Sequence, residues 1–279
     1  MKNILIVVVL IVLIALGGIF WYMSESGPQQ DAPPPVAAEP VAQPEEDVAA
    51  EPETPPLVID EKQIPGAPEL AELPPPPLHE SDAYVRDNLA GAVGEANAMQ
   101  YFVAEGLATR AVASVDSLGS RQVPGNIRAV AGPDGDFVAY PDPDPPTVIR
   151  NEQGDPMTQY LSDPANHDRY RVYVEMIEAI DAAQFAELYR RNEPLLEQAW
   201  RELGYTDVGF DQRLAEVIDE LLATPEVAEP YRLVKPEAVY QFADEELESL
   251  SAGQKILLRM GSENATRVKS KLSEFRQVL

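Results

Sequence analysis

Hydrophobic positions divide the chain into three regimes. Residues Ile4 to Met23 (ILIVVVLIVLIALGGIFWYM) are apolar and carry no charge. Residues 24–80 show no hydrophobic period. From Ser81 to Leu279 apolar residues recur at three- and four-residue spacing, the period of a helix face. The fold class expected is mainly α: a multi-helix domain over 81–279 with a small β-hairpin insertion. A transmembrane helix and a disordered Pro-rich tether are expected before it.

Within 81–279, Ser81 or Asp82 is placed to cap a helix bearing Val85, Leu89 and Val93. Met99, Phe102, Val103, Leu107, Val112, Val115 and Leu118 continue the pattern, weakened by Gly106. Val123-Pro124-Gly125 closes this region. Ile127 to Val130 and Phe137 to Tyr140 are strand-like runs around Gly132-Pro133-Asp134-Gly135, which predicts the hairpin. Asp163-Pro164 reads as a cap with proline in the first helical position. Tyr170, Tyr173, Val174, Ile177 and Ile180 then form one face.

After a new cap at Asp181, Phe185, Leu188, Tyr189, Leu196, Ala199, Trp200 and Leu203 follow. Pro194 inside that pattern predicts a kink or break at Asn192-Glu193. Gly204 is a left-handed stop. Leu214, Val217, Ile218, Leu221 and Leu222 are the stripe of the next helix. Residues 233–242 look extended between prolines. Asp244 caps a short acidic helix, and Ser251 to Gln254 has capping-box spacing ahead of Ile256, Leu257 and Leu258. Gly261 stops that helix. Ser262 caps the last one, with Val268, Leu272 and Phe275 inward.

The charge-free run of 20 residues spans about 30 Å as a helix, the thickness of a bilayer core. Phe20, Trp21 and Tyr22 sit at its end, as an aromatic belt does. The run is longer than a signal peptide's apolar region and has no good cleavage site, which favours a retained anchor. Lys2 and the amino terminus then lie in the cytoplasm with residues 1–3, and the rest lies outside. Residues 24–80 hold 15 prolines, and 13 acidic residues against Lys62. Such a segment buries too little apolar surface to fold and extends up to roughly 175 Å as polyproline II. Leu57-Val58-Ile59 is its one apolar island, either a docking motif or plain linker.

The formal charge of −26 over 279 residues excludes nucleic-acid binding by phosphate neutralisation. It makes either a self-repelling surface or an acidic patch for a basic partner. There is no cysteine, so disulfides, thiolate catalysis and thiolate metal sites are excluded. His79 falls in the tether. His167 lies near Asp163 and Asp168, but neighbours on a helix do not converge on a metal. No Gly-rich phosphate loop or nucleophile elbow is present. No cofactor is implied.

Four stretches resemble one family: DRYRVYV (Asp168 to Val174), ELGY (Glu202 to Tyr205), RLAEVIDELLATPEV (Arg213 to Val227) and the run from Phe242 to Leu272. The chain from about Ser81 is similar to an uncharacterised proteobacterial family, domain of unknown function 3014. The resemblance implies one span in the inner membrane of a Gram-negative bacterium and a domain facing the periplasm. It implies no activity and no catalytic residues.

Three function classes follow, the last a small-ligand sensor that could signal only through a membrane partner. The first is a membrane-tethered interaction or scaffold protein meeting an envelope protein or cell-wall component. Its candidate surface is Tyr205 and Phe210 on the central turn, with the polar-basic face Gln254, Lys255 and Arg259. The second is a cell-wall-acting enzyme using carboxylates. Glu248-Ser249 loosely resembles the catalytic Glu-Ser of lytic transglycosylases, whose further motifs are missing.

Overall fold

The computed structural model describes residues 75–121, 127–237 and 239–279. The predicted anchor, nearly all of the tether and the Val123-Pro124-Gly125 stop lie outside them. Nine helices are described: α1 Ser81–Val93, α2 Glu95–Tyr101, α3 Leu107–Leu118, α4 Arg171–Glu178, α5 Ala182–Glu202, α6 Phe210–Leu222, α7 Glu245–Ser249, α8 Ala252–Arg259 and α9 Ser262–Val278. Four short strands, β1 Ala139–Pro141, β2 Gln159–Ser162, β3 Arg232–Val234 and β4 Gln241–Phe242, form one sheet. It is antiparallel throughout, in the order β1-β2-β3-β4.

The helix starts follow side-chain chemistry, not always that of the nearest residue. Asp181, Asp244 and Ser251 accept from amides of the helices they precede, and Ser251 with Gln254 completes a capping box. Asp82 does not cap its own helix. Its carboxylate takes the amides of Gly106 and Leu107 at 2.9 Å each, opening α3 instead. Gly106 breaks the apolar pattern into α2 and α3 by adopting a φ of 66°.

Most of the core is helical. α1, α3, α4, α5, α6 and α9 converge on Leu89, Val115, Ile177, Phe185, Trp200 and Leu272, all at most 1% exposed. A second, smaller cluster lies under the sheet and gathers Phe137, Tyr231, Leu233, Val239, Phe242 and Leu258. α8 serves both: Ile256 and Leu257 belong to the first cluster and Leu258 to the second. Its first turn is docked on two other helices. Ala252 donates its amide to Ser120 at 2.7 Å, just past α3. Gln254 Nε2 donates to the Glu220 carbonyl in the last turn of α6 at 3.0 Å.

The predicted hairpin is replaced by a wider sheet. Residues 127–130 and 137–140 do not pair with each other. Val130 bridges Phe102, and Ala131 donates to Tyr101 at 2.7 Å, which sends the first run into the helical core. The second run pairs through Ala139 and Tyr140 with Ser162 and Leu161 of β2. The turn between them is held by Arg169, which donates to the carbonyls of Asp134 and Gly135 at 3.1 and 2.7 Å. Each run is claimed by a different core, so local turn chemistry does not decide the pairing.

α5 also departs from expectation, running unbroken through Pro194. Phe185, Tyr189, Asn192, Leu196 and Trp200 are all buried, on both sides of the proline. Burial of that whole stripe outweighs the roughly 3 kcal/mol that an interior proline costs.

The docking of α8 leaves no room at Gly253. A Cβ there would stand 2.4 Å from Leu221 Cδ2 and 3.3 Å from the Leu118 carbonyl oxygen. Leu221 is 1% exposed, so its side chain can shift only within a close-packed core. Alanine favours the helix by about 1 kcal/mol, but overpacking here costs about 1–3 kcal/mol. Gly253→Ala is therefore expected to lower the unfolding midpoint by a few degrees, at roughly 2–4 °C per kcal/mol. A variant melting at or above the parent would show that α8 has slack at this contact.

Candidate functional site

A groove of about 780 Å³ lies between the segment Thr224–Tyr231 and α9. Thr224 and Pro225 end α6, and the chain then runs to β3 without helix or strand. Leu257 and Leu258 of α8 form part of the lining. Ser262, Ala265, Thr266, Lys269 and Ser270 of α9 supply the opposite wall. These residues recur at three- and four-residue spacing, so one helix face carries them all.

One end of the groove is locked. Glu229 Oε2 lies 2.9 Å from His167 Nε2, and Glu229 Oε1 accepts the Ser262 amide at 2.9 Å. A carboxylate thus satisfies a free amide in the first turn of α9, where the helix dipole favours negative charge. Asn264 Nδ2 donates to the His167 carbonyl at 3.1 Å. Gly261 has φ 86° and ψ 155°, a region essentially restricted to glycine. Its missing side chain makes room for the imidazole, since a Cβ would sit 2.6 Å from Nδ1. At the other end Lys269 Nζ donates to the Thr224 carbonyl at 3.0 Å.

His167 is therefore a tie between the 3₁₀ turn Pro164–Tyr170 and the end of the groove. Asp163, its sequence neighbour, accepts the Ala165 amide at 2.8 Å as a cap. Among the described residues no three His, Asp or Glu side chains gather as a metal would require.

The residues singled out from sequence occupy two other places. Tyr205 stands at the surface, 39% exposed, beside Leu203 and Val208 at 39% and 37%. Its ring stacks on Trp200 with centroids 3.8 Å apart, and its hydroxyl donates to Asp116 Oδ2 at 2.6 Å. Asp116 also accepts from Arg213 Nε at 2.7 Å, which ties the turn to α3 and α6. Phe210 is 1% exposed and packs against Trp200 from within, because it opens α6 with its side chain on the apolar stripe. Of the aromatic pair, Tyr205 alone reaches solvent.

Gln254 and Lys255 are each 8% exposed. Gln254 is turned back into the capping box. Lys255 Nζ lies 2.8 Å from Glu248 Oε1, and the other oxygen of Glu248 accepts the Phe242 amide at 2.8 Å. Arg259 is half-buried with its guanidinium 5.0 Å from the Phe242 ring centre, and burial pushes its pKa down while Glu248 opposes the shift. Glu248 is thus the hub of an ion-paired cluster that closes the β4 edge. It is not an acid standing alone in a cleft.

The groove residues were not singled out from sequence. Two signals were present: Pro225 and Pro230 keep the segment between them out of a helix, and Gly261 marks a close approach. Neither says what approaches.

The model of one family, described as Protein of unknown function (DUF3014), matches residues 107–276. That stretch begins at α3 and holds the sheet, the groove and the Glu248 cluster. No curated protein and no solved structure matches the chain.

The hydrogen bond to Asp116, ahead of burial, pushes the Tyr205 phenol up from 10.0 to about 12. A raised folded-state value means the stabilisation is full below the unfolded pKa and is lost as pH rises through the folded one. The stability advantage of the parent over Tyr205→Phe should hold at about pH 8 and shrink by about pH 12. Urea midpoints at the two pH values measure it; a difference that does not change with pH would separate Tyr205 from Asp116.

Proposed function

The chain belongs to the DUF3014 family, and on that premise we propose that it is a membrane-anchored interaction or scaffold protein. In this reading residues 4–23 hold it in the inner membrane of a Gram-negative bacterium. Residues 24–80 set the reach, and the domain meets an envelope protein or cell-wall component in the periplasm. The anchor reading rests on the apolar run, which is long enough to span and carries no charge. Among the described residues no helix is long and apolar enough to cross a membrane.

The observation that carries the binding role is the groove itself. Its volume is that of a ligand site, and its wall of small hydroxyl and apolar side chains suits contact more than chemistry. The carboxylate-enzyme reading has less behind it. A general acid needs a raised pKa in a cleft. Glu248, its best candidate, is neutralised by Lys255 and bonded to a backbone amide.

A photo-crosslinking amino acid at Thr266, on the exposed wall of the groove, tests the reading in living cells. The same group at Met99, exposed outside the groove, is the control. A discrete adduct to one envelope component from Thr266 alone is the outcome expected. Matching adduct patterns from both positions, or none from either, would sink the proposal.

A further inference from the structure

We propose that the groove takes an extended peptide segment of a partner protein. Its backbone lies along Pro225–Ala228, its small apolar side chains face Val227 and Ala265, and a Lys or Arg reaches Glu226. The inference rests on reading the domain as an interaction module.

The wall of the groove has the hydrogen-bonding groups such a ligand uses. Thr224 donates to Leu221 at 3.1 Å and so ends α6. Pairing resumes at Tyr231, whose carbonyl accepts from the Ser162 amide at 3.0 Å and whose amide donates to Ser162 Oγ at 2.9 Å. Between these points the amides and carbonyls of Glu226, Val227 and Ala228 make no hydrogen bond among the described residues. In an extended run successive groups point to opposite sides, so a peptide laid alongside pairs with those of Glu226 and Ala228 as a neighbouring strand does in a sheet. Affinity then comes from the main chain, and alternate side chains supply the selection.

The lining limits those side chains. Val227 and Ala265 offer apolar surface, with Leu257 and Leu258 buried behind them. Ser262, Thr266 and Ser270 line the opposite wall, the Thr266 hydroxyl donating to the Ser262 carbonyl at 2.8 Å, and small side chains on that wall suit small apolar residues with a polar main chain between. Charge sets the remaining preference. Glu229 is held by His167 and the Ser262 amide, and Lys269 is turned to the Thr224 carbonyl. Glu226 is exposed and makes no ion pair among the described residues. A basic side chain therefore complements the groove, and the chain's charge of −26 attracts it from a distance. A saccharide fits less well, since sugar recognition wants an open aromatic face. Tyr231 is the aromatic of the lining and is only 5% exposed.

The test selects displayed random heptapeptides against the full chain in nanodiscs, then measures synthetic versions by fluorescence anisotropy. Enriched sequences should alternate small apolar residues with Lys or Arg. Binding should weaken at least about tenfold on Thr266→Trp, which fills the groove from an exposed position, and also on Glu226→Lys. Methylating alternate peptide amides should do the same, because it removes main-chain donors. Circular dichroism confirms that each variant is folded. Peptides that bind Thr266→Trp or survive methylation undiminished would overturn the proposal. So would a selection that enriches nothing while cell-wall sacculi sediment the chain in a Thr266-dependent way. If Thr266 crosslinks an envelope protein but no peptide is enriched, the peptide mode fails and the interaction reading stands. If both fail, both are lost.

Discussion

The first turn of α8 is wedged between the C-terminal ends of α3 and α6, at a contact too close for a single added carbon at Gly253. The Ala252 amide meets the Ser120 carbonyl just past α3, and the Gln254 side chain meets the Glu220 carbonyl in the last turn of α6. From that fixed point α8 delivers Ile256 and Leu257 to the helical core and Leu258 to the cluster under the sheet. The same leucines line the groove, and Lys255 on the same helix holds Glu248 against the β4 edge. Fold and candidate site thus share one support.

The periodic helices are legible in the sequence because burial and capping agree there. Ser251 with Gln254, Asp181 and Asp244 act as their spacing implies. Long-range contacts overrule local signals elsewhere. Pro194 is a strong local breaker, yet the apolar stripe on both sides keeps α5 continuous. The Gly132–Gly135 turn is a good hairpin signal, yet Val130 and Phe137 bury in different clusters. Asp82 looks like the cap of its own helix and serves one 25 residues later. These outcomes depend on partners distant in sequence, which a local pattern does not contain.

The site was less legible than the fold for a related reason. Tyr205 stands out as a surface aromatic, and it is one, fixed by Trp200 and Asp116. Phe210, Gln254, Lys255 and Arg259 carry the residue types of a binding face but fall on sides of α6 and α8 that pack inward. The groove uses plainer residues: small side chains on α9 and an irregular run whose main chain is its chief offering. Such a surface has no motif, because its chemistry belongs to the backbone. The acidity of the chain, read first as a bar to nucleic acids, gains a second meaning beside Glu226.

Native-state hydrogen exchange on the full chain in nanodiscs tests most directly whether α8 makes one unit of the two clusters. Slow amides of β2 and β3 should open with the same free energy as those of α3 and α6, within about 1 kcal/mol. Sheet amides opening about 3 kcal/mol more easily than the helical core would contradict it. The sheet would then be a separate unit, and the groove would not rest on a shared support.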